Sequence, residues 1–168
     1  MSANATVAAC ILAAAQDVAN RRSAFFQKKG PGDGDRDTND FMTEVRAEVQ
    51  RRTGRRDLAE RRICGDNNLA VDFYVEDEAT IIEVALSLRN PNCEFERDIL
   101  KALMAKETGS PVNRLLLIAK PGGEQRVNQP SSQAMVAWAQ RLHGLEISVI
   151  DLSPGPTAGE GEQNPTTS

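Results

Sequence analysis

Residues 69–89 read LAVDFYVEDEATIIEVALSLR, and their period decides the fold class. Leu69, Val71, Phe73 and Val75 fall on one face of an extended chain, with Ala70, Asp72 and Tyr74 on the other. After the acidic turn Glu76-Asp77-Glu78, Ile82, Val84, Leu86 and Leu88 share one face of Thr80–Arg89, and Ile81, Glu83, Ala85, Ser87 and Arg89 share the other. Alternation at a period of two marks a strand. The short connection makes the two strands an antiparallel hairpin. A further short strand is expected ahead of them, around Glu60–Cys64.

Downstream, Asn90-Pro91-Asn92 breaks the pattern and Glu94–Thr108 reads as a helix, with Phe95, Ile99 and Leu103 on one stripe. Arg114–Ala119 holds the run Leu115–Ile118, a strand covered on both faces. A helix capped by Ser131 or Ser132 runs to Leu142, with Met135, Trp138 and Leu142 as its apolar side, and Leu145–Leu152 is the last strand. Upstream, residues 5–27 have helical composition and Phe41, Val45 and Val49 recur at helical spacing after a cap in Thr38–Asp40. Between them KKGPGDGDRDTN, residues 28–39, reads as a flexible loop, and SPGPTAGEGEQNPTTS, residues 153–168, as a disordered tail. The expected class is therefore α/β: a mixed sheet flanked by helices, in the order α-βββ-α-β-α-β, over residues 40–152, with an N-terminal helix in 1–27.

Bulk composition narrows the function. The chain has 168 residues, one domain's worth, with 40% hydrophobic and 4% aromatic residues. Twenty Lys and Arg against 24 Asp and Glu give a net charge of -4, which excludes a polycation that coats nucleic acid by bulk charge. The longest apolar stretch, Ala5–Ala15, is too short to span a bilayer and has no Lys or Arg before it, so it is expected to be an ordinary helix and not a signal peptide. Cys10, Cys64 and Cys93 are widely spaced and odd in number, which points to reduced thiols in a cytoplasmic protein rather than to disulfides or a zinc site. His143 is the only histidine, and it precedes Gly144 at a helix end, where an imidazole meets the last carbonyls.

Two residues of the hairpin carry chemistry. Asp72 and Glu83 each sit mid-strand on the less apolar face, so hairpin pairing brings both carboxylates to one side of the sheet. Like charges at that distance repel, and a buried carboxylate is costly, so a cation, a proton or a nearby Arg or Lys must compensate. A hard divalent ion such as Mg²⁺ or Mn²⁺ is one solution; a one-sided sheet that turns one carboxylate to water is another.

The order of elements, with an Asp on one strand and a Glu on the next, resembles the PD-(D/E)xK nuclease superfamily, the restriction-endonuclease-like fold. The resemblance covers residues 40–152. Val71-Asp72 stands where the family has Pro-Asp, and Glu83-Val84-Ala85 aligns with (D/E)-x-K. It implies a metal-dependent nuclease-fold protein that hydrolyses DNA phosphodiester bonds, active or degenerate, with Mg²⁺ or Mn²⁺ held by Asp72 and Glu83 and assisted by the Val84 carbonyl. The helix acid that serves as an extra ligand in many members would be Glu44 or Glu48. The family's lysine position falls on Ala85, so the basic group must come from elsewhere; Lys101 on the following helix is the first candidate, then Arg97 or Arg89. The alternative is that Arg97 and Lys101 only pair with Glu94 and Asp98 on a solvated surface.

Seven arginines and four acids lie between Glu44 and Arg62, a local excess of three positive charges. Arginine suits phosphate by its bidentate fork, and Arg51, Arg52, Arg55, Arg56, Arg89 and Arg97 are the expected contacts to DNA. Intrahelical ion pairs are the alternative. With few aromatics, base stacking is not expected and contact should be to the phosphate backbone. Lys120-Pro121-Gly122-Gly123 could present backbone amides to an anion but lacks P-loop spacing. The competing function is a non-catalytic α/β interaction module, in which the alanine-rich N-terminal helix packs on a partner chain or on a second copy in a homodimer.

Overall fold

The computed structural model describes residues 6–27, 35–86, 88 and 94–155. Arg89, Cys93, residues 28–34 of the expected loop and residues 156–168 of the expected tail lie outside them.

Thr6 opens α1 (Val7–Arg21) by accepting the Ala9 N–H at 3.1 Å, the usual service of a threonine N-cap. A turn at Arg22 separates α1 from α2 (Ser23–Gln27), so the apolar stretch before residue 28 is two helices rather than one. Helix α3 (Asp35–Thr53) begins inside the stretch expected to be loop. Its first turn carries Asp37, a charge that favours a helix N-terminus. Phe41, Val45 and Val49 are buried along its inner stripe, as their spacing requires.

The sheet has five strands in spatial order β1 (Ala59–Arg61), β2 (Val71–Val75), β3 (Thr80–Ala85), β4 (Arg114–Ala119) and β5 (Glu146–Asp151). β1, β2 and β3 are antiparallel neighbours; β3, β4 and β5 run parallel. Helix α4 (Glu94–Glu107) lies between β3 and β4 in the chain, and α5 (Gly123–Val127) and α6 (Pro130–His143) between β4 and β5. The protein is thus α/β with a mixed sheet flanked by helices. The first strand is displaced from Glu60–Cys64 to Ala59–Arg61, with Glu60 at φ 51°, a left-handed conformation, between the paired residues Ala59 and Arg61.

Two apolar layers cover the sheet. On one face Ile11, Ala14, Ala15 and Val18 of α1 and the α3 stripe pack on Phe73, Val75, Ile82 and Val84. On the other, Phe95, Ile99, Ala102 and Ala105 of α4 and Ala139 of α6 pack on Ile81, Ala85, Leu115 and Leu117. The inner side of α1 is therefore used within the chain. It is also tied to the hairpin: the Glu78 carboxylate accepts the Val7 N–H at 2.5 Å and the Ala8 N–H at 3.2 Å. This arrangement gives the N-terminal helix a partner within its own chain. No helix among the described residues is long and apolar enough to cross a membrane.

Helix α6 differs in detail from its expected form. Pro130 occupies its first turn, Gln129 precedes it without a side-chain cap, and Ser132 is buried, accepting from Arg126 at 3.0 Å. Proline suits the first turn because the missing N–H has no helical acceptor there. Trp138 and Leu142 are 38% and 60% exposed; the inward side is Ser132, Met135, Val136 and Ala139. His143 closes the helix, its ring 4.9 Å from that of Trp138, and Gly144 takes the left-handed cap at φ 60°.

The glycine turn after β4 does meet an anion, but an internal one. The Asp151 carboxylate accepts the Gly122 N–H at 2.7 Å and the Glu124 N–H at 2.9 Å, satisfying donors at the start of α5. A Cβ at Gly123 would lie 2.3 Å from Ala119 Cβ and 2.8 Å from Asp151 Oδ1. Gly123→Ala is therefore expected to destabilise the fold by about 1–3 kcal/mol, the usual range for overpacking. A urea titration checks this; an unchanged midpoint would show that the turn yields freely.

Candidate active site

The hairpin register runs from Val75–Thr80 through Tyr74–Ile81 to Phe73–Ile82. The next opposed residues are Asp72 and Glu83, and here side chains replace ladder bonds. Asp72 Oδ2 accepts the Val84 N–H at 2.8 Å, and Glu83 Oε2 accepts the Asp72 N–H at 3.2 Å. Each carboxylate thus binds backbone at or beside the other's residue, which brings the two together on the α4 side of the sheet. The expected juxtaposition of Asp72 and Glu83 is present. Asp72 is half-buried and Glu83 only 3% exposed.

The pair lies towards the C-terminal ends of the parallel strands. β2 is antiparallel to β3, so its start, where Asp72 stands, adjoins the end of β3. That edge of an open α/β sheet is where the backbone geometry leaves room for a ligand.

Helix α4 supplies the compensating charge. Lys101 Nζ is 2.6 Å from Glu83 Oε1, 2.9 Å from Asp98 Oδ1 and 3.4 Å from the Ala70 carbonyl oxygen. Lys101 and Asp98 are 8% and 4% exposed, so their pairing is not the solvated surface contact that the sequence left open. Glu83 Oε1 has no directed hydrogen bond, and its contact with the ammonium is an ion pair off the ideal donor direction. Asp98 enters the sequence reading only as an ion-pair partner on a solvated surface, not as a site residue. The available signal was its place between Phe95 and Ile99 on the inward stripe of α4, three residues from Lys101.

Three acids and one ammonium share this region, and their titration reflects it. Burial pushes the Glu83 carboxyl up to about 9, with repulsion from Asp72 and Asp98 adding to the rise and Lys101 opposing it. Burial likewise raises Asp98, to about 6, against the pull of Lys101. Burial works against the Lys101 ammonium, but Glu83 and Asp98 outweigh it and hold its pKa above the usual lysine value. Beneath the lysine, Cys64 is buried and its thiol donates to the Lys101 carbonyl at 3.4 Å; burial raises its pKa.

The other predicted site residues are elsewhere or differently engaged. Glu44 and Glu48 lie on α3, whose stripe covers the opposite face of the sheet. Glu44 pairs with Arg22 at 2.5 Å, and hydrogen bonds from Arg22 lower its pKa. Glu48 pairs with Arg51 at 2.6 Å and Arg52 at 2.7 Å, which push it down to about 2. Neither is gathered with Asp72 and Glu83: among the described residues no group of three or more His, Cys, Asp or Glu is placed to hold a metal. Arg52 also pairs with Asp17, and Arg55 with Asp57 at 2.8 Å. Arg56 and Arg97 are exposed, and Arg97 stands one helical turn before Lys101 on α4. Arg89 lies outside the described residues.

A divalent ion would have to be held by two carboxylates. Mg²⁺ is commonly bound by one or two carboxylates and completes its shell with water and phosphate oxygens. Asp72 has one oxygen with no partner among the described residues, and Glu83 Oε1 is held by an ion pair alone, so the donor set fits a two-carboxylate site.

No protein-family model, curated protein or solved structure matches the chain.

The raised carboxyls predict a pH dependence. Glu83 and Asp98 bind protons more tightly in the folded chain than in the unfolded one, so stability is greatest below pH 4 to 5 for these groups. It falls as pH rises, through about 6 for Asp98 and about 9 for Glu83. Above about pH 5, where the lowered carboxyls Glu44 and Glu48 are fully ionised in both states, urea midpoints should therefore decline as pH rises, and Glu83→Gln should flatten the alkaline part of the decline. A wild-type and variant profile of identical slope would contradict this origin.

Proposed function

We propose that this chain is a metal-dependent, nuclease-fold protein that hydrolyses DNA phosphodiester bonds on a restriction-endonuclease-like core. The observation that carries the reading is the Lys101 ammonium, 2.6 Å from Glu83 Oε1. In the (D/E)-x-K pattern the lysine follows two residues after the acid; here that position is Ala85, and α4 delivers an ammonium to the same carboxylate. The element order around Asp72 and Glu83 supports the same reading, with a helix, three antiparallel strands and two parallel additions.

Each residue then has a role that its surroundings suit. Asp72 and Glu83 would hold Mg²⁺ or Mn²⁺. When bound, the ion lowers the pKa of a coordinated water and offsets charge on the scissile phosphate. Lys101 orients the attacking water or shields charge developing on the phosphate. Arg97 and Arg56, both exposed, are the candidates for phosphate contact. Arg51, Arg52 and Arg55 are engaged in ion pairs with acids of the same chain.

One observation favours the alternative of a non-catalytic interaction module. Lys101 already compensates Glu83, so the carboxylate has a charge partner without any metal ion. The two readings separate in one assay. Plasmid and single-stranded DNA incubated with the protein and Mn²⁺ or Mg²⁺ should be cut. Chelation should abolish cutting, and Asp72→Ala, Glu83→Gln and Lys101→Met should each slow it by about 100-fold or more, the scale of a lost general-catalytic or charge-stabilising group. No cleavage, or cleavage unchanged by Glu83→Gln, would favour the interaction module.

A further inference from the structure

One ammonium serves two buried carboxylates, and the two contacts differ in origin. Asp98 and Lys101 are three residues apart on α4, so helix geometry alone keeps them together. Glu83 belongs to the sheet and meets Lys101 only through the packing of α4 on β3. Glu83 Oε2 is tied to the Asp72 N–H, which leaves Oε1 as the oxygen that can change partner.

That oxygen has two claimants. The ammonium holds it in this structure, and a divalent ion bound between Asp72 and Glu83 would compete for it. Releasing a buried ammonium with no other anion beside it is costly. Asp98 removes that cost, because its carboxylate remains 2.9 Å from Nζ.

We infer that Asp98 is a positioning residue that retains Lys101 in the site when Glu83 exchanges the ammonium for a divalent cation. The inference rests on the metal-dependent reading above. Asp98 touches neither cation nor substrate; it acts through Lys101. Its presence weakens the hold of the ammonium on Glu83 and so favours cation binding, while keeping the ammonium beside the reacting phosphate.

The test is Mn²⁺ binding by calorimetry on the full chain, with thermal unfolding recorded for every variant. Asp98→Asn should weaken Mn²⁺ binding by about 10- to 100-fold, the range for residues that support a metal ligand indirectly. Lys101→Gln removes the competing ammonium and should bind Mn²⁺ at least as tightly as the wild type. The double variant Asp98→Asn with Lys101→Gln should match Lys101→Gln alone, because Asp98 then has no ammonium to retain. A purely structural role for Asp98 would not be rescued in this way.

Wild-type affinity in a folded Asp98→Asn protein would overturn the inference. So would a double variant that binds as weakly as Asp98→Asn. If Asp98→Asn alone does not fold, the Lys101→Gln background carries the test: there Mn²⁺ affinity must be the same with or without Asp98→Asn, and a difference overturns the inference. Failure of the wild type to bind Mn²⁺ at all would remove the metal-dependent reading and this inference together. Wild-type binding with an unaffected, folded Asp98→Asn protein removes the inference alone.

Discussion

Glu83 is an acid in the central strand of a sheet whose two faces are both covered, and Lys101 is the cation that stabilises its ionised form. An unpaired ion at 3% exposure would cost several kcal/mol, more than most single interactions return. The requirement reaches outward from that pair. Helix α4 must dock on β3 with Lys101 and Asp98 turned inward beside Phe95, Ile99 and Ala102. The hairpin must open after Phe73–Ile82 so that Asp72 and Glu83 can accept each other's neighbouring N–H groups. The contact is a structural ion pair, and variants at this position will move stability as well as any activity.

Much of this was written in the sequence, for reasons that can be named. The period of two in Phe73–Val75 and Thr80–Ala85 marks two strands, both faces of which are buried; Val71 departs from it, packing with Tyr74 on the α4 side while Phe73 and Val75 pack on the α1 side. The turn Glu76–Glu78 is too short for anything but an antiparallel return. Glu83 as a site residue follows from an acid in the middle of an apolar strand. Lys101 could be proposed because a buried acid needs a partner and α4 follows directly.

Other features required three-dimensional information. Whether Asp98 and Lys101 face water or the sheet depends on how α4 rotates, and the stripe Phe95, Ile99 and Leu103 left that open by one residue. The apolar letters Trp138 and Leu142 suggested a buried side for α6, but the helix turns its smaller residues, Ser132 and Ala139, towards β5. The Glu44 and Glu48 carboxylates were expected near Asp72 because helix order was known and helix placement was not. The arginine segment shows the same limit from the other side. Its composition gives an excess of positive charge, yet Arg51, Arg52 and Arg55 find Glu48, Asp17 and Asp57, so the local field at the surface is weaker than the count implies.

The Glu83–Lys101 coupling is tested most directly by a double-mutant cycle on stability, using Glu83→Gln, Lys101→Met and the two together. The account predicts non-additivity, with a coupling energy of about 1–3 kcal/mol, because Lys101→Met takes the cation from Glu83 and Asp98 together, whereas in the Glu83→Gln background the same change deprives Asp98 alone. Additive effects of the two substitutions would contradict it.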